Sequence, residues 1–166
     1  MEEQHKKTVL RMIPYGLYVL TCEKGEDVAT ATISWMTQTS FSPPLVTIGV
    51  KEGSGVHSLI KEQKSYAISI LGKDNADAAY AFFKSTEREG DKLNGQQVFT
   101  GSLGHPVLTK APAYLECKLV EFIETGDHSI VVGEVVNAGV QGELPGRPDD
   151  ATLKLKDLGA KVHYGG

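Results

Sequence analysis

Residues 17–50, LYVLTCEKGEDVATATISWMTQTSFSPPLVTIGV, contain three runs of strand-forming residues and no helical stripe. The first run, residues 17–23 (LYVLTCE), is β-branched and aromatic and reads as a strand. Lys24-Gly25-Glu26-Asp27 is a polar turn, and residues 28–34 (VATATIS) alternate and are rich in Thr, Val and Ile. The two runs therefore pair back on each other as a hairpin. The next ten residues, WMTQTSFSPP, read as a loop that ends in Pro43-Pro44. Residues 45–50 (LVTIGV) form a third strand, and the paired prolines fit just ahead of it, where no ladder N–H is required.

The same pattern extends outward. Residues 1–12 are polar, with Val9, Leu10 and Met12 as an apolar edge, and fit a short helix or a mobile arm broken by Pro14 and Gly16. Ser54 is placed to cap a helix through VHSLIKEQ, whose Val56, Leu59 and Ile60 share one face. Residues 66–71 (YAISIL) form another strand, and Asn75 caps a helix through ADAAYAFFK with Ala78, Ala79, Phe82 and Phe83 as its buried stripe. Residues 85–112 read as loops with short extended pieces. Residues 113–124 form a long strand, with Leu115, Cys117 and Leu119 on one side and Val120 and Phe122 on the other. Gly126-Asp127 turns it into its partner, residues 129–140, where Gly133 marks a close approach or a bulge. The stretch QGELPGRPDD is a turn-rich linker before short terminal pieces. Six or seven antiparallel strands with two or three short helices, and no βαβ alternation, predict a mainly β, α+β chain built as a barrel or sandwich with helical insertions.

Composition narrows the functions. The 166 residues suit one domain over 1–166 and, at 40% hydrophobic and 23% charged, an ordinary globular class. A net charge of -4 and the lack of a Lys/Arg block make nucleic acid or an anionic membrane a poor partner. No apolar run approaches a membrane span and the N-terminus has no signal-peptide core, so the expected location is cytoplasmic. Cys22 and Cys117 form no CxxC and read as two free thiols, with a disulfide between them left open.

The chain contains no HExxH, GxSxG, Walker A or GxGxxG, so zinc and nucleophilic hydrolysis find no support in its motifs. Three segments carry other chemistry. In residues 31–46 (ATISWMTQTSFSPPLV) the hydroxyls of Ser34, Thr37, Thr39 and Ser40 can bond the polar edge of a flat heterocycle, and Trp35 can pack on its face. The same residues also suit a Thr-rich strand with Trp35 in the core. In residues 51–58 (KEGSGVHS) a Ser-Gly turn opening a helix offers N–H groups to an anion, beside Lys51, His57 and Ser58. A plain helix cap with a solvated Lys51 is the alternative. In residues 126–135 (GDHSIVVGEV), Asp127 can orient His128, or both can be polar residues at a hairpin tip.

Together and in this order, these segments resemble the flavin reductase-like family of FMN-binding split β-barrels. TISWMTQTSFSPPLV resembles the family's Ser/Thr-rich run into a Pro-Pro-hydrophobic motif, and VTIGVKEGSGVHSLIKEQKSYAISIL the strand, helix and strand that follow it. GDHSIVVGEVVNA resembles its Gly-Asp-His hairpin, with a shorter echo at KVHYGG. The resemblance implies a six-stranded antiparallel Greek-key split β-barrel with short flanking helices, a homodimer, and FMN (or FAD) as cofactor. It implies that Ser34, Trp35, Met36, Thr37, Gln38, Thr39 and Ser40 line the isoalloxazine and ribityl chain. Lys51, Ser54, Gly55, His57 and Ser58 would neighbour the phosphate, His128 would help seat the nicotinamide of NAD(P)H, and Tyr164 would close the pocket. Hydride transfer from NAD(P)H to flavin would feed an oxygenase or another electron acceptor. A flavoredoxin-like electron carrier without a nicotinamide site is the alternative, and a haem or pyridoxal phosphate in the same groove is a third. Ser42 stands where family members often carry Asp, and the phosphate turn has Lys51 but no Arg, a point charge rather than a fork.

Overall fold

The hairpin of residues 17–34 forms in the computed structural model, which describes residues 1–165. Gly166, the end of the KVHYGG stretch, lies outside the described residues. After helix α1 (Glu3–Arg11), strands β1 (Tyr18–Lys24) and β2 (Asp27–Ile33) pair antiparallel with Leu20 opposite Ala31. Strand β3 (Met36–Ser40) follows β2 after only Ser34 and Trp35, and pairs antiparallel with β4 (Leu45–Lys51). Helix α2 (Gly55–Gln63), strand β5 (Ser65–Ile70) and helix α3 (Ala76–Ala81) come next. Short strands β6 (Arg88–Glu89), β7 (Lys92–Leu93), β8 (Gln96–Thr100) and β9 (Pro106–Leu108) make a separate small sheet. The long hairpin β10 (Ala113–Ile123) and β11 (His128–Val140) precedes the terminal turn α4 (Pro148–Ala151) and a 3₁₀ turn at Leu155–Leu158.

The main sheet has seven strands in the order β2-β1-β5-β10-β11-β4-β3. Its two ends, β2 and β3, are neighbours in sequence, so the sheet curls until its edges stand a two-residue link apart without a ladder between them. Helix α2 packs against β1, β2, β4 and β5 and fills the inside of that curl. Its Val56 and Ile60 join Leu20, Ile48, Tyr66 and Val131 in one core. The outer face of β1 carries a second core, in which Leu17 and Val19 meet α3, Leu93, Val98 and Leu153. Because β1 is covered on both faces, its sequence reads as an almost continuous apolar run rather than a strict alternation. Among the described residues no helix is long and apolar enough to cross a membrane.

Two expected elements differ. Residues 35–44 are not all loop, since Met36–Ser40 is a strand with Met36 opposite Ile48. Its hydroxyl-rich side chains face solvent along a sheet edge, and the hydroxyls of Thr39 and Thr47 meet at 3.1 Å. Helix α3 ends at Ala81, three residues before the expected end at Lys84. Thr32 of β2 stops it, taking the Ala79 carbonyl with its hydroxyl at 2.8 Å and the Phe82 carbonyl with its N–H at 3.2 Å. Phe82 is therefore buried and Phe83 turns outward, 56% exposed. Asn75 is the N-cap residue of α3, its carbonyl accepting from the Ala79 N–H at 3.1 Å, but its side-chain oxygen accepts from the Gly72 N–H at 2.9 Å instead of from the first turn of the helix.

The open question of the cysteines closes. Cys22 lies on β1 and Cys117 on β10, with β5 between them in the sheet. Two strand spacings are about 9.5 Å, beyond the roughly 7 Å limit for a disulfide. Both are free, and burial pushes both thiols up to about 12.

Candidate functional site

The link between β2 and β3 builds one wall of a cleft. Trp35 lies flat against β4 because Gly49 has no side chain there: a Cβ on Gly49 would stand 2.8 Å from the indole. The Trp35 carbonyl accepts from the Gly49 N–H at 3.0 Å and fixes the link. Among the described residues, the Ser34 hydroxyl and the Trp35 indole N–H are both buried without a hydrogen-bond partner. A buried polar group left unpaired costs about 1–3 kcal/mol. Two such groups side by side in a cleft wall are therefore suited to a ligand that carries acceptors.

Strand β4 leads from Gly49 to Lys51 at the cleft edge, and α2 begins there. Ser54 caps the helix, its hydroxyl oxygen accepting from the His57 N–H at 3.3 Å while its O–H donates to the Lys51 carbonyl at 2.8 Å. That hydroxyl is committed, so the anion-directed groups of this corner are the Lys51 ammonium and the amides of the first helical turn. On β11, His128 stands directly opposite Lys51 in the ladder. Asp127 can only accept, so Nδ1–H of His128 donates to its carboxylate at 3.0 Å. The other ring nitrogen, Nε2, shares a hydrogen bond with the Tyr164 hydroxyl at 2.6 Å. The hydrogen bond to His128, together with its charge, holds the Asp127 carboxyl below its usual range. Burial, and to a lesser degree Asp127, pushes the Tyr164 phenol up. The three rings cluster, with Trp35 4.7 Å from His128 and 5.2 Å from Tyr164 between centroids.

These groups, with Thr32, Val56, Phe82 and Phe83, enclose a cleft of about 270 Å³. Of the residues expected at a flavin site, Ser34, Trp35, Lys51, Ser54, His128 and Tyr164 converge here. Met36 and Thr37 lie on the other side of Trp35, in an apolar groove of about 720 Å³ shared with Leu10, Ile13 and Ile130. Gln38 and Thr39 are exposed on β3, and Ser40 closes the strand, its carbonyl accepting from the Gln38 amide at 3.1 Å. Gly55 and Ser58 are exposed on α2. The His57 ring turns inward, 2.9 Å from the Ser129 hydroxyl and edge-on to Phe122. Gly49 and Phe83 belong to the cleft but carry no motif; the only sequence signal for Gly49 was a glycine inside an apolar strand.

A protein-family model, Flavin reductase like domain, matches residues 10–155. Among curated proteins, the chain is 36% identical over 126 residues to Diflavin flavoprotein A 1 of Synechocystis, matching 75% of this chain and 22% of that protein. The chain thus spans only about a fifth of the length of the diflavin relatives it matches. It is 31% identical to the reductase component of a 4-nitrophenol 4-monooxygenase/4-nitrocatechol 2-monooxygenase from Rhodococcus opacus, covering 83% of this chain and 72% of that one. Among solved structures, the NADH:FAD oxidoreductase SgcE6 of Streptomyces globisporus aligns with a TM-score of 0.68 at 30% identity, over 77% of this chain and 76% of that one. A fold that curls one sheet around α2, a cleft with unpaired donors at the β2–β3 link, and a family match over most of its length lead to one conclusion: the chain belongs to the flavin reductase-like family and has its split-barrel fold.

Proposed function

We propose that this chain is an NAD(P)H-dependent flavin reductase that binds FMN, with FAD as the alternative flavin, in the cleft between the β2–β3 link and His128. The observation that carries the reading is the pair of buried donors, Ser34 and Trp35, unpartnered among the described residues in the wall of a cleft that Lys51 also lines. Flavin edges are rich in carbonyl and imine acceptors and its tail ends in a phosphate dianion, so the donor set and the cation fit the two ends of one ligand. When bound, the flavin supplies the hydride-accepting ring, and the protein supplies position and electrostatics. Ser34 and Trp35 donate to the ring edge, and Lys51 with the first amides of α2 neutralises the phosphate. His128, held in one tautomer by Asp127, orients the nicotinamide and handles protons at Nε2. No side chain is required as nucleophile.

Electrons then pass to a separate acceptor, with an oxygenase component the first candidate, since the Rhodococcus relative is a reductase component of a monooxygenase. A homodimer is part of the proposal, its interface formed over the apolar groove beside Met36 and Thr37. A second reading, a flavin electron relay without its own nicotinamide site, draws on the diflavin flavoproteins, in which the matched region is a minor part of a longer chain.

The test is spectroscopic. Purified protein mixed with FMN should retain a band pair near about 370 and 450 nm through desalting. Under anaerobic conditions, NADH or NADPH should bleach it within seconds. His128→Ala should slow that bleaching roughly tenfold or more while the flavin stays bound. Bleaching by a reduced protein donor alone would favour the relay, and protein that takes up no flavin would end both readings.

A further inference from the structure

We propose that Tyr164 is the cleft's own ring occupant: segment 162–165 fills the ring position, and a flavin ring must displace it to bind. The inference rests on the flavin reading above. Tyr164 lines both the cleft of about 270 Å³ and an adjoining cavity of about 140 Å³. Thr32, Ile33, Ser34 and Phe83 are walls common to both, so the tyrosine divides one larger space into two compartments. Neither compartment alone reaches the roughly 300–1,000 Å³ usual for a site that buries a ligand of this size.

The tyrosine also engages two walls of the cleft. Its ring stands 5.2 Å from Trp35, and its hydroxyl holds His128 Nε2 at 2.6 Å. It does not satisfy Ser34 or the Trp35 indole N–H, which have no partner among the described residues. A ligand carrying acceptors can therefore offer the cleft what its own side chain does not. Among the described residues, the segment's hydrogen bonds are the Val162 N–H to the Gly159 carbonyl at 3.0 Å, the Gly165 carbonyl with Arg11 Nε at 3.4 Å and the Tyr164 hydroxyl with His128, while Val162 packs partly buried on the core. Tyr164 itself is 45% exposed. A part-exposed aromatic on a cleft wall, which leaves that wall's donors without a partner among the described residues, is a competitor rather than a permanent wall.

Trp35 is the single tryptophan of the chain, so its fluorescence reports the contact directly. The experiment compares the wild type, Tyr164→Phe and Tyr164→Ala. It measures acrylamide quenching of Trp35 without ligand, then equilibrium titration with FMN. If the closed form holds about 90% of the ligand-free molecules, its removal tightens apparent FMN binding about tenfold. Tyr164→Ala should therefore raise the quenching constant about twofold or more and lower the FMN dissociation constant about tenfold. Tyr164→Phe, which keeps the ring but loses the bond to His128, should fall between. Unchanged quenching in Tyr164→Ala would overturn the closure whatever FMN does. Raised quenching with unchanged FMN binding would overturn the competition, and raised quenching with weaker FMN binding would make Tyr164 a ligand contact instead. Raised quenching with no FMN uptake by any of the three proteins would overturn the flavin reading instead and leave the closure standing.

Discussion

Gly133 stands where Tyr66 places its hydroxyl. Tyr66 on β5 is fully buried, and its neighbour across the ladder on β10 is Cys117. Its phenol reaches past that strand to β11, where a Cβ on Gly133 would lie 2.1 Å from the phenol oxygen and 3.0 Å from Cys117 Cβ. The ladder shifts register between Leu119 and Glu121, beside Gly133, so the glycine answers both a close approach and a bulge. Among the described residues the phenol oxygen is buried without a hydrogen-bond partner, and burial, with the Cys117 thiol beside it, drives its pKa upward. Gly133→Ala should therefore cost about 1–3 kcal/mol through overpacking. Tyr66→Phe removes an unsatisfied hydroxyl and should change stability by less than about 1 kcal/mol. The double variant should lose at least about 0.5 kcal/mol less than the sum of the two, because the phenol oxygen is the closest atom the new methyl meets. Urea unfolding of the four proteins measures the cycle, and strict additivity would refute the contact.

Helix α2 joins stability and binding at one turn, and its two candidate residues separate. The Ser54 hydroxyl accepts from the His57 N–H, which makes it the cap of the helix that fills the barrel. Ser54→Ala should cost about 1 kcal/mol in urea unfolding. Lys51 is exposed at the end of β4, so Lys51→Ala should leave stability within about 0.5 kcal/mol. It should weaken FMN binding roughly tenfold through loss of a charge-assisted contact. Retained affinity in Lys51→Ala would remove Lys51 from the phosphate corner. This cap was legible in the sequence because capping is local, set by Ser54 and the three residues after it. The hairpin of residues 17–34 was legible for the same reason, its turn and alternation lying within one segment. The end of α3 was not, since Thr32, 47 residues upstream of Ala79, supplies the partner that stops it. Nor was β3, where density of hydroxyls reads as loop and only pairing with β4 shows a solvated edge strand. At the site, Ser34, Trp35, Lys51, Ser54, His128 and Tyr164 could be named because residue type and order carry the chemistry. Which way each side chain turns depends on packing, and so His57 faces Ser129 rather than the cleft. Phe83 enters the cleft only because α3 ends early.

At the scale of the whole molecule, two buried titratable groups tie the small sheet to the large one and set the response to acid. His105, before β9, is 1% exposed. Its Nδ1 accepts from the Glu23 N–H of β1 at 3.1 Å, so its other nitrogen carries the proton and donates to the Ser65 hydroxyl at 2.8 Å. Burial lowers its pKa, against a weaker opposite pull from Glu116. Glu116 of β10 is fully buried, and burial alone would raise its pKa. Hydrogen bonds from the Leu103 N–H, Asn137 and Ser102 outweigh that and hold it below the usual carboxylate range. The signs then set two windows. For His105 the unfolded chain binds the proton more readily, so its contribution is complete above about pH 6.5 and falls as the pH drops below that. For Glu116 the contribution is complete above about pH 4.5 and is lost as the pH falls through its lowered folded value. Acid should therefore loosen the join between the sheets in two stages, the histidine first. One proton accounts for a slope of at most about 1.4 kcal/mol per pH unit. His105→Asn removes the titrating group from the upper window. Its stability, read from urea midpoints at half-unit steps from pH 8 to pH 5, should be lower than wild type at pH 8. Below pH 6.5 it should show a slope flatter than wild type by up to that amount. If wild type and variant run parallel from pH 8 to pH 5, His105 is not the group that responds first to acid.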